Sequence, residues 1–170
     1  KTMFNQQFGP LNQVFTFFGY ANPPFLTENI WSYGSLITVE VWQWTPFVIL
    51  MMLAGLQSLP TDIFEAARLE NASSLQMFLG ITFPMLLPLS AAVIFIRIVE
   101  AFKIIDIVYI MTGGGPGIAT ETLTLFAYQE GLKKFNLGYT SAISFLFLIF
   151  IIFFGLIYMI ILKPQIEKRR

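Results

Sequence analysis

Cysteine and histidine are both absent from this chain of 170 residues. Their absence excludes disulfide bonds, thiol nucleophiles, imidazole acid–base chemistry and most transition-metal sites. Charge is scarce as well, since 12% of the residues are charged against roughly a quarter in soluble globular domains. Ten basic residues balance ten acidic ones, so no net positive charge is available for nucleic acid. The phosphate-binding loop of nucleotide-hydrolysing proteins is also missing. We predict no catalytic residue, no metal site and no nucleic-acid partner in this chain.

Apolar residues are abundant instead. They make up 56% of the sequence, 19 of them are phenylalanine, and the mean hydropathy is +0.71. A helix that crosses a bilayer needs about 20 mostly apolar residues, and the segments 35–56, 84–111 and 142–162 meet that length. Membrane-spanning strands would alternate apolar and polar residues, and the third segment does not alternate. The sequence predicts an all-α integral membrane protein with three spans.

The loops and the tail predict the topology. Lys163, Lys168, Arg169 and Arg170 place the tail, residues 163–170, in the cytoplasm, because basic residues flank spans on the cytoplasmic side. Three spans then make residues 57–83 a cytoplasmic loop and residues 1–34 and 112–141 external. The glycine-rich run at 113–117 ends the second span, and an amphipathic helix is expected at about 120–134.

The cytoplasmic loop contains a short polar pattern between two apolar runs. Pro60 suits a first helical turn, where its missing N–H costs nothing. Asn71 can take the left-handed conformation that ends a helix, and Ser73 or Ser74 can cap a following helix. The pattern predicts a helix, a tight turn and a second helix that ends before the next span. An amphipathic connector lying on the membrane surface would give the same local pattern.

Several motifs recur here in the order and spacing of a known family. They are Trp42-Gln43-Trp44-Thr45-Pro46-Phe47, Ala54-Gly55-Leu56-Gln57-Ser58-Leu59-Pro60, Glu65-Ala66-Ala67 and Thr112-Gly113-Gly114-Gly115-Pro116-Gly117. With them, nearly all of the chain from Trp31 to Lys163 resembles the sugar permease subunits of binding-protein-dependent ABC importers. The loop resembles their EAA coupling loop. The family usually has Asp-Gly where this chain has Glu70-Asn71.

The resemblance implies a type I, MetI-like helical bundle with about twice as many spans, of which this chain would be the later half. It implies four kinds of partner: a second, related permease subunit, two cytoplasmic ATPase subunits, an extracytoplasmic solute-binding protein and the lipid bilayer. ATP and Mg would bind the ATPase subunits, with no cofactor in this chain. The membrane would be the bacterial or archaeal cytoplasmic membrane. The residues implied to couple to the ATPase are Glu65, Ala66, Ala67, Arg68, Glu70 and Asn71.

One side of the first span predicts a contact surface for sugar. Glu40, Gln43, Trp44 and Phe47 follow helical spacing on one side. A carboxylate and an amide bind hydroxyl groups, while aromatic rings cover the C–H face of a sugar.

The second span carries charged residues of alternating sign at steps of three. A charge at mid-bilayer costs about 2.5–3.5 kcal/mol on insertion scales, so these side chains should face the protein interior. Two interpretations are compatible with each other: these side chains pair with one another, or they form a polar pore wall. The charged residues are Arg97, Glu100, Lys103 and Asp106. Alignment to the family's substrate positions adds Ala101 and Ile104.

We interpret the chain as a non-catalytic permease subunit that moves a sugar or oligosaccharide by alternating access, driven by a separate ATPase. One alternative is an ABC importer for another solute, such as a glycerol phosphate ester, a polyol or an acidic oligosaccharide. Another is an ion-coupled secondary transporter, in which Glu40, Glu100 and Asp106 relay protons.

Overall fold

The computed structural model describes residues 1–19 and 23–167, with side chains up to residue 162, and this part of the chain contains helices and no strands. Regular structure begins with a 3-10 turn, Thr2–Phe4. The α-helices are α1 (Pro10–Phe17), α2 (Asn29–Gln57), α3 (Thr61–Leu69), α4 (Ser74–Met77), α5 (Phe83–Phe102), α6 (Asp106–Met111), α7 (Leu123–Tyr128) and α8 (Leu137–Glu167). Two π-helical turns, Phe78–Thr82 and Gln129–Lys133, follow α4 and α7.

Within the described part of the chain, three helices are long and apolar enough to cross a membrane. They are Asn29–Gln57, the unbroken run Ser74–Phe102 formed by α4, the π turn and α5, and Leu137–Leu162. Only 6%, 11% and 6% of the residues in their most apolar windows are buried within the chain, so few of their apolar side chains are enclosed by the chain itself. This arrangement confirms the predicted all-α membrane fold.

The helix boundaries differ from the predicted spans because hydropathy marks only the apolar part of a helix. Helix α2 begins at Asn29 instead of 35, and α8 begins at Leu137 instead of 142. The predicted span 84–111 differs at both ends from the long helix of this region, which begins at Ser74 and ends at Phe102. The predicted amphipathic helix at 120–134 is α7 with the π turn that follows it. The tail residues Lys168, Arg169 and Arg170, on which the orientation depends, lie outside the described residues, so the orientation remains a prediction.

A π turn explains how a helix continues past Pro84. Proline has no N–H, and its ring crowds the carbonyl four residues earlier. The Phe83 N–H bonds instead to the Phe78 carbonyl, five residues back. This wider turn accommodates the proline ring. The helix therefore begins inside the loop and runs without a break into the span.

The described contacts divide the chain into two compact units, and the first comprises residues 1–44 and 102–149. Its core contains the buried side chains Phe4, Phe25, Leu36, Ile107, Val108, Met111 and Leu125. The Phe25 ring makes edge contacts with three other aromatic rings, those of Phe4, Phe15 and Trp31, at centroid distances of 5.4–5.7 Å. The aromatic cluster joins the N-terminal segment to the start of α2.

Threonine hydroxyls organise the glycine-rich run in this unit. Thr120 is buried, and its hydroxyl lies 2.7 Å from the Thr112 hydroxyl and 2.7 Å from the Gly115 carbonyl. The Tyr33 hydroxyl of α2 donates to the Ala119 carbonyl. Gly114 has a φ of 97°, a conformation that disfavours residues with a side chain. The run is thus a shaped loop as well as a helix breaker.

The second unit comprises residues 45–101 and the chain from 150 onward. Small residues let its helices approach closely, as is common between membrane helices. A Cβ added at Gly55 would lie 2.1 Å from Leu89 Cδ2. The Tyr158 hydroxyl donates to the Ala91 carbonyl at 2.7 Å, and its ring stacks on Phe95 with centroids 5.3 Å apart.

Candidate functional site

Helix α3 carries the predicted coupling residues and lies in the second unit. Pro60 is its N-cap, one position before the helix, with φ −66° and ψ 130°. Asp62 lies in the first turn and Arg68 in the last. Both charges complement the helix dipole, which is positive at the N-terminus and negative at the C-terminus.

The turn after α3 has the left-handed conformation expected at Asn71, whose φ is 58°. The Asn71 N–H donates to the Arg68 carbonyl and the Ala72 N–H to the Ala67 carbonyl, both at 3.0 Å. These two bonds are those of a Schellman motif, which satisfies the last carbonyls of a helix. Asn tolerates this conformation better than other residues with a side chain. The turn therefore forms with Asn71 at the position where the resemblance led us to expect glycine.

A capping box begins the next helix immediately after the turn. The Gln76 N–H donates to the Ser73 hydroxyl at 3.3 Å, and the Ser73 N–H donates to the Gln76 side-chain carbonyl at 2.8 Å. This reciprocal pair satisfies two N–H groups that a helix start leaves without partners. Of the two predicted caps, Ser73 is the one used. The capped helix runs on to Phe102, so the turn is joined directly to the second span.

Helix α3 contains no buried residue. Phe64 and Ala67 are half-buried, whereas Glu65 and Ala66 are exposed on other sides of the helix. Ala66 thus offers its small side chain outward, while Ala67 is partly covered. Of the remaining predicted coupling residues, Arg68, Glu70 and Asn71 are all exposed.

Sequence reasoning missed three exposed apolar side chains on and near α3. Ile63, Leu69 and Leu75 are 41%, 85% and 67% exposed. Large apolar side chains left exposed beside polar residues often mark a contact surface. The signal was available in the sequence, because Ile63 and Ala66 are three residues apart and share a side of the helix. Acidic side chains outnumber basic ones here, with Asp62, Glu65 and Glu70 against Arg68 (3 − 1 = 2 net negative charges).

The predicted pathway residues of the first span all lie on α2. Glu40 and Trp44 are half-buried in the first unit, where Gln43 is exposed. Phe47 is half-buried and belongs to the second unit. The role of these four side chains in the pathway remains a prediction.

The predicted stripe of charges on the second span is wrong as a single helical face. Arg97, Glu100 and Ala101 lie on the last turns of α5, in the second unit. The backbone leaves the helix after Phe102, so Lys103 and Ile104 lie in a non-helical turn and Asp106 opens α6. No cluster of three or more possible metal ligands occurs in the described part of the chain.

A comparison with protein families complements this geometry. Residues 8–167 match the family described as the binding-protein-dependent transport system inner membrane component. The chain belongs to this family. The match covers the three apolar helices, the α3 turn and the glycine-rich run, so it supports a multipass protein embedded in a membrane.

Curated relatives of this family include permease proteins of sugar transport systems. The chain is 35% identical over 160 residues to the trehalose/maltose transport system permease protein MalF of Thermococcus litoralis, covering 94% of this chain and 54% of the relative. It is 33% identical over 141 residues to the sulfoquinovosyl glycerol transport system permease protein SmoG of Agrobacterium fabrum, covering 83% and 46%. The chain spans about half the length of the curated relatives it matches.

A solved structure has the same fold. It is a crystal structure of a bacterial alginate ABC transporter in complex with an alginate pentasaccharide-bound periplasmic protein. The TM-score is 0.88, and the match covers 98% of this chain and 58% of that one at 19% identity. This likeness supports the MetI-like helical architecture of ABC importer permeases.

Proposed function

We propose that the chain is part of a permease subunit of an ABC importer that moves a sugar or oligosaccharide into the cytoplasm by alternating access. The observation that carries the proposal is the exposed helix α3, joined through the Asn71 turn to a helix that continues into a membrane span. Membership of a binding-protein-dependent transport family supports it.

In this proposal, α3 is the part of the chain on which an ATPase subunit acts. Its exposed surface combines a small side chain at Ala66, apolar side chains at Ile63 and Leu69, and a net negative charge. A groove with apolar walls and basic or backbone N–H donors would complement it. Because the turn at Asn71 and the capping box are fully hydrogen-bonded, a displacement of α3 would move the start of the second span.

The proposed partners are a second, related permease subunit, two cytoplasmic ATPase subunits and an extracytoplasmic binding protein. ATP and Mg would bind the ATPase subunits, and this chain would supply no catalytic group. The chain would lie in a bacterial or archaeal cytoplasmic membrane, with its C-terminal tail and α3 on the cytoplasmic side.

A neutral sugar fits the proposed pathway better than an anion. Two basic residues, Arg97 and Lys103, are outnumbered by the acidic Glu40, Glu100 and Asp106. An anionic solute would favour the opposite balance. The trehalose/maltose relative supports a neutral sugar, whereas the sulfoquinovosyl glycerol relative makes a sugar derivative the first alternative to test.

Charge reversal at Glu65 tests the proposal in the complete transporter. Glu65→Lys should weaken binding of the ATPase subunits and lower both uptake and the uptake achieved per ATP hydrolysed. Glu65→Gln should have a smaller effect, because it keeps the size and loses only the charge. Glu28→Lys is the matched control, since Glu28 is also exposed but lies outside the coupling loop. Unchanged co-purification and transport for Glu65→Lys would contradict the assignment of α3.

A further inference from the structure

The second apolar helix breaks between Phe102 and Asp106, although the sequence there stays largely apolar. Residues 103–105 belong to neither α5 nor α6. A helix that ends leaves backbone carbonyls without intrahelical partners. Where a helix ends away from water, those partners must come from the protein. The break therefore needs side chains that bond to its backbone.

Two threonine hydroxyls bond to one carbonyl of the break, that of Ile104. The Ile104 carbonyl accepts from the Thr122 hydroxyl at 3.0 Å and from the Thr124 hydroxyl at 2.7 Å. A carbonyl oxygen has two lone pairs, and each hydroxyl has one proton to donate. The Thr122 oxygen also accepts from the Leu125 N–H at 3.2 Å, which caps α7. The two hydroxyls also lie 3.0 Å apart, and either can donate to the other, so the Ile104 carbonyl and the two side chains form one hydrogen-bonded group.

The threonines are themselves held in place by packing. Leu125, which follows directly in α7, is completely buried in the core with Ile107 and Val108. On the other side of the break, the Phe102 ring makes an edge contact with Phe147 of α8, with centroids 6.3 Å apart. Both ends of the hydroxyl–carbonyl contact are therefore fixed to the same unit, and the break has one defined backbone conformation.

We propose that Thr122 and Thr124 are positioning residues of the transport pathway. By holding the Ile104 carbonyl, they set the backbone from which the Lys103 and Ile104 side chains extend. The proposal rests on the proposed function, because only in a permease are Lys103 and Ile104 pathway residues. Thr122 accepts the capping bond of α7, whereas Thr124 bonds to the Ile104 carbonyl and lies 3.0 Å from the Thr122 hydroxyl, so a change at Thr124 leaves the capping side chain itself in place.

The test uses the complete transporter in proteoliposomes with saturating sugar-loaded binding protein. Thr124→Val removes one hydrogen bond to Ile104 and keeps the side chain's shape. We expect the ratio of sugar moved to ATP hydrolysed to fall roughly two- to tenfold, as for the loss of one net hydrogen bond, and Thr124→Ser to restore it. Thr38→Val is the matched control, because the Thr38 hydroxyl bonds to Gly34 within its own helix. Thr124→Ala takes the place of the valine variant if that variant fails to assemble.

A second readout follows the break itself. The 170 residues of this chain contain no cysteine, so Ile104→Cys adds a single maleimide-labelling site to them. The rate of labelling at that site reports the exposure of position 104. That rate should change when Thr124→Val is added and stay constant when Thr38→Val is added. If the wild-type transporter moves sugar, and Thr124→Val changes neither the ratio of sugar moved to ATP hydrolysed nor the labelling rate at position 104, the positioning role alone is overturned. Absence of ATP-driven sugar uptake by the wild type overturns the proposed function, and the positioning role with it.

Discussion

Asn71 has a left-handed backbone conformation in the turn after α3, and this conformation predicts a graded response to substitution. With φ at 58°, a residue with a side chain is strained by roughly 1–2 kcal/mol, and Asn is among the few that are less affected. A β-branched residue is a poor fit there. Asn71→Val should therefore destabilise the turn by about 1–2 kcal/mol, and Asn71→Gly should leave it intact.

Hydrogen exchange of the Ala72 amide measures this effect directly. That amide donates to the Ala67 carbonyl across the turn. A loss of about 1–2 kcal/mol should make its exchange roughly 5- to 30-fold faster in Asn71→Val, with sugar uptake falling in parallel. Asn71→Gly should keep near wild-type uptake, because glycine adopts positive φ without strain.

Phe135 provides a control for backbone strain, since it is the other residue with a side chain at positive φ in the described chain, at 57°. Phe135→Gly should leave exchange at Ala72 unchanged, because Phe135 belongs to the first unit. If Asn71→Val exchanges and transports like the wild type, the turn does not depend on the residue at its left-handed position, and the reasoning is refuted.

Three further predictions concern packing and caps. Gly55→Val should lower the midpoint of thermal unfolding, because overpacking against Leu89 costs about 1–3 kcal/mol. Gly34→Ala should not lower it, because a Cβ at Gly34 meets no atom within 4 Å. Equal midpoints for the two variants would contradict the close contact at Gly55. Ser73→Ala should destabilise the start of α4 by about 0.5–2 kcal/mol. Hydrogen exchange of the Gln76 amide, which donates to the Ser73 hydroxyl, measures this loss, and unchanged exchange would exclude the capping box. Tyr158→Phe should cost about 0.6 kcal/mol, the typical value for a hydrogen bond between membrane helices, and a large loss of stability would show that the hydroxyl does more than bond to one carbonyl.

Features set by local sequence could be predicted. Three spans follow from length and hydropathy, and the turn at Asn71 with its cap at Ser73 follows from short-range backbone and side-chain preferences. The difference between the predicted and observed helix start near Pro84 also has a cause in the neighbouring residues. The predicted second span begins at Pro84, but the π turn before this residue lets one helix continue from Ser74 to Phe102.

The break after Phe102 could not be predicted from its own residues. Ile104 and Ile105 are as apolar as the residues of a continuous span, and no glycine or proline marks the end of the helix. What holds the break is a pair of threonines 18 and 20 residues further along the chain. Their hydroxyls look like ordinary helix caps in the sequence, and only the fold brings them to the Ile104 carbonyl. For the same reason, the four charged residues predicted on the second span do not all lie on one helix.

Uptake into proteoliposomes that contain the complete transporter tests the central claim most directly. Neutral sugars and sugar derivatives are supplied with the binding protein, with ATP present or absent at the ATPase subunits and with or without an uncoupler. The account predicts uptake that requires ATP and the binding protein and persists in the uncoupler. Uptake that collapses with the uncoupler and ignores the loss of ATP would contradict it.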